Sequence, residues 1–172
     1  MNEEHSASGA VCVREGRPDD VDAVIALERA TEFAPHWPRA AYAEAIQAQA
    51  GLLPRRVLVA ERIFEGCDAQ RRLVGFAVMA VHDGSAELES VAVAVAERRA
   101  GTGMALCKAA LAWACRSRAL EVTIEVRAQS RGAIALYRRL GFVETARRPR
   151  YYAGPEDDAV LMRLPLIPSS IA

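Results

Sequence analysis

The chain has almost no lysine: of its 22 lysine and arginine residues, only Lys108 is a lysine. The 22 acidic residues balance these cations, so no excess of positive charge points to nucleic acid or an anionic membrane. Long hydrophobic runs are also missing, since the longest, residues 73–81, falls far short of the ~20 residues that cross a bilayer. The first ten residues are acidic and polar, unlike a signal peptide. We therefore expect a soluble cytoplasmic protein without a nucleic-acid or membrane partner.

Cysteines are few and form no recognisable pattern. The four, at positions 12, 67, 107 and 115, make no C-x-x-C pair and no metal-ligand spacing with the three histidines. We therefore expect neither a disulfide framework nor a metal site. Cys107 and Cys115 lie among alanine and leucine in one helical run, which predicts small buried thiols. At 172 residues, 52% of them hydrophobic, the chain is long enough to bury a core as one domain.

Hydrophobic periodicity and turn residues predict an alternation of strands and helices. Strands are expected at 11–15, 56–61, 73–81, 87–95, 120–128, 142–147 and 159–164. Helices are expected from Pro18, over 39–50, over 103–118, and between Ser130 and Gly141. Residues 63–72 and 149–158 are expected to be loops, residues 1–10 a disordered leader, and residues 167–172 a loose tail. A strand–helix–strand order over 87–128 predicts one parallel strand pair.

The stretch from Val91 to Gly103 predicts a binding site for an anion. A strand of alternating valine and alanine leads through a charged turn into a helix that opens with two glycines. Free backbone N–H groups and the positive end of the helix dipole then meet at one point, which suits a phosphate. The P-loop and dinucleotide fingerprints do not match, and Arg-x-x-Gly-x-Gly, residues 98–103, is what remains. Taken alone, this stretch fits an ordinary helix start with two permissive glycines equally well.

Two further side chains are candidates for acid–base chemistry. Glu125 lies on the polar face of its predicted strand, where a carboxylate near a thioester could take a proton from an amine. Spacing alone favours the interpretation of Glu125 as an ordinary surface glutamate, because Glu121 shows that such residues occur on the same strand face. Tyr137 could protonate a departing thiolate, or could be a half-buried core tyrosine. Phe33 and Trp37 could wall a pocket, or could simply anchor their loop on the core.

Three segments together resemble the Gcn5-related N-acetyltransferase superfamily: residues 98–103, IEVRA at 124–128 and IALYRRLGF at 134–142. The resemblance covers residues 11–166. Within the superfamily, the chain most resembles the ribosomal-protein-alanine N-acetyltransferases. Those enzymes acetylate the N-terminal alanine of a small-subunit ribosomal protein. The resemblance implies an α/β fold with a mostly antiparallel sheet of about seven strands, a parallel pair in its middle, and about four flanking helices.

The same resemblance assigns roles to individual residues. Glu125 falls on the general base and Tyr137 on the general acid, so no nucleophilic cysteine is required. The implied co-substrate is acetyl-CoA, without a metal. The residues that correspond to the family's cofactor contacts are Val91, Ala92 and Val93 along the pantetheine arm, Arg98, Arg99, Gly101, Thr102 and Gly103 at the pyrophosphate, and Ser130, where the family often has asparagine.

The acceptor is less well defined by the sequence. The resemblance implies a protein N-terminus, that of a small-subunit ribosomal protein. We expect a monomer or weak dimer. A lysine side chain or a small amine is the alternative acceptor, and a non-catalytic CoA-binding module is the alternative class. Basic and aromatic residues could frame a peptide, whereas neighbouring acidic residues could hold a cationic one, or the whole segment could be a solvated hairpin. These residues are Arg147, Arg148, Arg150, Tyr151 and Tyr152, and Glu156, Asp157 and Asp158.

Overall fold

A computed structural model describes residues 9–47, 55–64 and 71–166, and the elements below belong to that part of the chain. Seven strands and four α-helices follow one another in the order β1-α1-α2-β2-β3-β4-α3-β5-α4-β6-β7. The strands are β1 (Gly9–Glu15), β2 (Arg55–Phe64), β3 (Arg71–His82), β4 (Ser85–Val93), β5 (Glu121–Arg127), β6 (Val143–Ala153) and β7 (Glu156–Pro165). The helices are α1 (Val21–Arg29), α2 (Arg39–Gln47), α3 (Thr102–Arg116) and α4 (Arg131–Arg139).

All seven strands form one sheet, in the order β1-β2-β3-β4-β5-β7-β6. Every neighbouring pair is antiparallel except β4 and β5, which are parallel, as the strand–helix–strand order predicted. Two buried clusters cover the two faces. One packs β-strand side chains against Leu106 and Trp113 of α3 and Ile134 of α4, and the other packs them against Val24 of α1 and Tyr42 of α2. The predicted fold class is therefore confirmed.

Several predicted boundaries were wrong. Strand β4 ends at Val93, and Val95 lies in a 3-10 turn with 69% of its surface exposed. Four residues of the expected loop over 63–72 are strand instead, because β2 runs to Phe64 and β3 begins at Arg71; the other six lie outside the described residues. Most of the expected loop over 149–158 is also strand, because β6 continues to Ala153 and β7 begins at Glu156. Cys107 is buried as predicted, but Cys115 is exposed.

Other predictions are met in part or fall outside the described residues. Strand β1 begins at Gly9, two residues earlier than expected. The predicted leader and tail otherwise lie outside the described residues, as does the end of the second helix beyond Gln47.

Candidate active site

The parallel pair β4–β5 separates soon after it forms, and this opens a cleft in the middle of the sheet. Pairing extends only from Ser85–Glu121 to Glu87–Thr123. Just beyond this point β4 has a bulge: Ser90 pairs with Val78 and Leu88 with Met79, so Glu89 has no partner on β3. A bulge bends its strand and increases the local twist, which moves β4 away from β5. The backbone of β4 that faces β5 is consequently left free to bind a ligand.

The cleft brings several predicted site residues together. It is lined on one side by Val91 of β4, on the other by Glu125 of β5, and at its end by Ser130 and Tyr137 of α4. Ser130 occupies the N-cap position of α4, as predicted, but its hydroxyl makes no capping hydrogen bond. The segment 31–35 between α1 and α2 closes the cleft from the face opposite α4.

The carboxylate of Glu125 is held by an arginine from the edge strand. Arg148 Nη1 donates a hydrogen bond to Glu125 Oε2 at 2.7 Å, and about a quarter of the Glu125 side chain stays exposed. Glu125 projects towards α1 and α2, since its neighbours Ile124 and Val126 pack in the α3/α4 core. An accessible carboxylate on the wall of a cleft is a group that can accept a proton from an incoming amine.

Tyr137 is fixed in place by the end of its helix. Phe142 N–H donates to the Tyr137 carbonyl and Gly141 N–H to the Arg138 carbonyl, both at 3.0 Å, which is a Schellman motif with Gly141 at φ +95°. The Phe142 ring meets the Tyr137 ring edge-on, with centroids 5.8 Å apart. Burial raises the pKa of Tyr137 above its ordinary value. The phenol therefore stays protonated at neutral pH, as a general acid must.

The predicted phosphate loop begins where β4 ends. The backbone is left-handed at Arg99 (φ +63°) and Gly101 (φ +86°), and α3 begins immediately afterwards at Thr102. Gly101 has no side chain to cap the helix, so N–H groups of the first turn remain available to an anion. The hydroxyl of Thr102 is buried and has no hydrogen-bond partner among the described residues. Arg98 and Arg99 are exposed beside it.

These features fit the diphosphate of a CoA molecule. A Cβ added at Gly101 would meet no atom of the described residues within 4 Å, so these residues leave space at the loop for a ligand. Gly103 lies against α4, because a Cβ there would be 3.4 Å from Leu136. The loop and the cleft are joined by Ala92 and Val93, so the predicted cofactor residues follow one another along β4 into α3.

Sequence reasoning missed several residues of the cleft. Glu89 lines it and forms a bidentate pair with Arg55 of β2, with both N–O distances at 2.7 Å. Arg127 lies between two rings at the mouth, 4.0 Å from the Tyr152 centroid and 4.7 Å from that of Phe33. Only the alternation along β5 hinted at Arg127. Nothing in the sequence signalled Glu89, because its position depends on the bulge.

The structure distinguishes between the alternative roles that the sequence left open for Phe33, Trp37, Asp157 and Asp158. Phe33 is 41% exposed and lines the cleft, whereas Trp37 packs on Tyr42 with centroids 5.4 Å apart. Asp157 accepts a hydrogen bond from Gln129 N–H at 3.1 Å, and Asp158 accepts one from Arg150 N–H at 2.9 Å. Asp158 therefore stabilises the β6–β7 hairpin itself, whereas Asp157 fixes the hairpin to the turn between β5 and α4.

Comparison with known proteins identifies the family to which the chain belongs. The family model of the acetyltransferase (GNAT) family matches residues 22–142. The chain therefore belongs to the GNAT acetyltransferases, a family that uses acetyl-CoA.

Three relatives show how far the similarity extends. The Escherichia coli K12 ribosomal protein bS18-alanine N-acetyltransferase is 34% identical over 97 residues, 55% of this chain and 66% of that enzyme. An N-alpha-acetyltransferase of Sulfurisphaera tokodaii is 30% identical over 167 residues, 90% of this chain and 92% of that protein. An uncharacterised Mycobacterium leprae protein is 40% identical over 77 residues, 45% of this chain but only 21% of that protein.

A solved structure agrees on the fold. The crystal structure of the E. coli ribosomal-protein-alanine N-acetyltransferase superposes with a TM-score of 0.72 at 24% identity, covering 95% of this chain and 99% of that one. None of the helices in the described residues is long and apolar enough to cross a membrane.

Proposed function

We propose that this protein transfers the acetyl group of acetyl-CoA to the free α-amino group of a protein N-terminus. The observation that carries the proposal is the cleft between β4 and β5, which has Glu125 and Tyr137 on its walls and leads into the predicted phosphate loop, residues 98–103. The thioester supplies an activated acetyl group. Glu125 accepts the proton that the attacking amine releases, and Tyr137 donates a proton to the sulfur as the C–S bond breaks.

The mouth of the cleft supports a chain end as the acceptor. Arg127 stacks between Phe33, from the segment before α2, and Tyr152 of β6, and it also donates to the Pro155 carbonyl at 3.0 Å. This bridge crosses the α1/α2 side of the cleft, where an extended peptide would have to pass. A terminus can enter end-on without breaking the bridge. Similarity to an N-alpha-acetyltransferase and to a bS18-alanine N-acetyltransferase supports the same acceptor, and the second of these relatives supports alanine as its first residue.

The test is a thiol-release assay with acetyl-CoA and a peptide that begins Ala-Arg-Tyr. We expect Glu125→Gln and Tyr137→Phe each to lower kcat by about 10²-fold or more, the usual contribution of a general acid or base, with CoA binding intact. Glu121→Gln is the matched control, because Glu121 lies on the same strand and face and pairs with Arg163 as Glu125 pairs with Arg148. Tyr151→Phe is the control for the phenol.

Each outcome bears on a different part of the proposal. Undiminished turnover in Glu125→Gln would remove the assigned base. Turnover only on α-acetylated peptides that contain lysine would move the acceptor to the lysine side chain. A wild-type protein that binds CoA and acetylates neither peptide would leave small amines, or CoA binding without catalysis, as the remaining functions.

A further inference from the structure

A buried network of ion pairs lies at the base of the predicted phosphate loop. Arg62 of β2 donates to Glu97 Oε2 through Nε at 2.9 Å and also through Nη2, and Arg72 of β3 donates through Nη2 to Glu97 Oε1 at 2.9 Å. The side chains of Glu97 and Arg62 are 6% and 10% exposed, while that of Arg72 is 59% exposed. We refer to these three residues as the Glu97 network.

The position of Glu97 in the chain is what makes the network notable. Glu97 is the last residue of the 3-10 turn Val95–Glu97, and Arg98, the first residue of the loop, follows it directly. Upstream, the chain is still fixed to the sheet, because Ala94 N–H donates to the Val74 carbonyl at 2.9 Å. Downstream, residues 98–101 are exposed. Glu97 is therefore the last side-chain attachment of this segment to β2 and β3 before the loop begins.

The chemistry of the network suits a site that must accept an anion. A lone buried carboxylate beside the loop would repel a diphosphate, but two arginines neutralise this one. Hydrogen bonds from Arg62 hold the pKa of Glu97 below its ordinary value, and the same bonds raise the pKa of Arg62. Both groups thus stay ionised at neutral pH. Because charged hydrogen bonds have preferred directions, the network fixes the turn in one geometry more strictly than apolar packing would.

We propose that Glu97 is a positioning residue for the diphosphate of acetyl-CoA. It does not touch the ligand. Through Arg62 and Arg72 it fixes where the loop leaves the sheet, and so where Arg98, Arg99 and the first N–H groups of α3 converge. The proposal rests on the proposed function, since it takes acetyl-CoA as the ligand of the loop.

Steady-state kinetics of Glu97→Gln test the proposal. Glutamine keeps the shape but loses the charge, so the loop should lose its fixed starting point. We expect KM for acetyl-CoA and Kd for CoA to rise about tenfold, the effect of losing one charge-assisted hydrogen bond between the loop and the diphosphate. The values of kcat and of the peptide KM should stay within about twofold of the wild type. S-acetyl-pantetheine, which lacks the diphosphate, should react with Glu97→Gln as it does with the wild type.

Glu61→Gln is the matched control. Glu61 is also a buried glutamate, paired with Arg14 and facing Arg71 at 3.6 Å, but neither of these partners belongs to the Glu97 network. We expect it to lower the melting temperature comparably and to leave KM for acetyl-CoA unchanged. If Glu97→Gln does not fold, Arg72→Met replaces it, because Arg72 is the exposed member of the network.

The results separate this proposal from the proposed function. Wild-type protein that fails to bind CoA by calorimetry would overturn both. Wild type that binds CoA, with an unchanged KM and Kd in the network variant, would overturn the role of Glu97 alone. An equal loss with acetyl-CoA and S-acetyl-pantetheine would also overturn it, since it would mean a general structural defect.

Discussion

Substitution of Tyr42 by phenylalanine should destabilise the protein through a single lost hydrogen bond. Tyr42 OH donates to Glu28 Oε1 at 2.7 Å, and the Trp37 N–H donates to the same oxygen at 3.0 Å. Tyr42 is 0% exposed and Glu28 is 1% exposed, so water cannot replace the lost donor. The bond also links α1, which carries Glu28, to α2 and the segment before it.

The size of the effect follows from these contacts. Phenylalanine keeps the ring packing on Phe76 and Trp37, whose centroids lie 5.8 and 5.4 Å away, so the cavity contribution is small. The loss is then that of a hydrogen bond to a carboxyl group, about 2 kcal/mol in the free energy of unfolding. For a domain of this length, such a loss lowers the melting temperature by about 4–8 °C.

Urea denaturation followed by circular dichroism measures this loss directly. We expect Tyr42→Phe to lower the midpoint with an unchanged m-value, and Tyr151→Phe, at a residue that is 50% exposed, to change neither. A loss below about 0.5 kcal/mol would refute the reasoning, because it would mean that the Glu28 carboxyl does not depend on the hydroxyl. The lost hydrogen bond also helps to hold the segment between α1 and α2, and residues 31–35 of this segment line the cleft. Tyr42→Phe should therefore also raise the peptide KM.

Two further predictions concern titration and reactivity. Arginine hydrogen bonds hold the pKa values of Glu61 and Glu97 below the ordinary 4.5, so their stabilisation is present above that pH and is lost as pH falls through the folded-state pKa values. Urea midpoints should drop between pH 6 and pH 3, and less so in Glu61→Gln; identical drops would contradict this. Burial raises the pKa of Cys107 to about 12, so iodoacetamide at pH 8 should label Cys12 and Cys115 and spare Cys107 until urea is added. Labelling of Cys107 in the folded protein would disprove its burial.

The centre of the fold could be predicted because its elements are periodic and buried. Strand β5 alternates strictly, with Val122, Ile124 and Val126 buried, and α4 begins after Ser130 and ends at Arg139, two residues before Gly141. Glu125 and Tyr137 were placed on adjacent elements by this pattern, and the structure puts both on one cleft. Their roles stay predictions, since position alone does not measure proton transfer.

The edge of the sheet formed by β6 was predicted less well, for a physical reason. Strand β6 is exposed along nearly its whole length, so it has no hydrophobic alternation to reveal it. It continues past Pro149 and Arg150 through an irregularity, where Arg148 pairs with Ala159 and Tyr152 with Asp157. Proline and glycine made the segment resemble a loop. At an edge strand, a missing N–H or an irregular register costs little.

The bulge at Glu89 shows why the cleft itself lay beyond sequence reasoning. Before the bulge, the even-numbered residues Ala86 and Leu88 face α3 and α4. After it, the odd-numbered residues Val91 and Val93 face that side, so the alternation of side chains between the two faces shifts by one residue. A pattern of alternating residues gives no sign of such a switch, because it depends on how β4 pairs with β3.

Yet the switch has consequences for the whole site. It bends β4 away from β5, which opens the cleft. It also directs Glu89 towards Arg55, whose bidentate pair ties the bulge to β2. Because the bulge is held by contacts within the sheet, the cleft is open before any ligand arrives. Binding then does not have to separate two paired strands, and binding free energy can be used to orient the reacting groups instead.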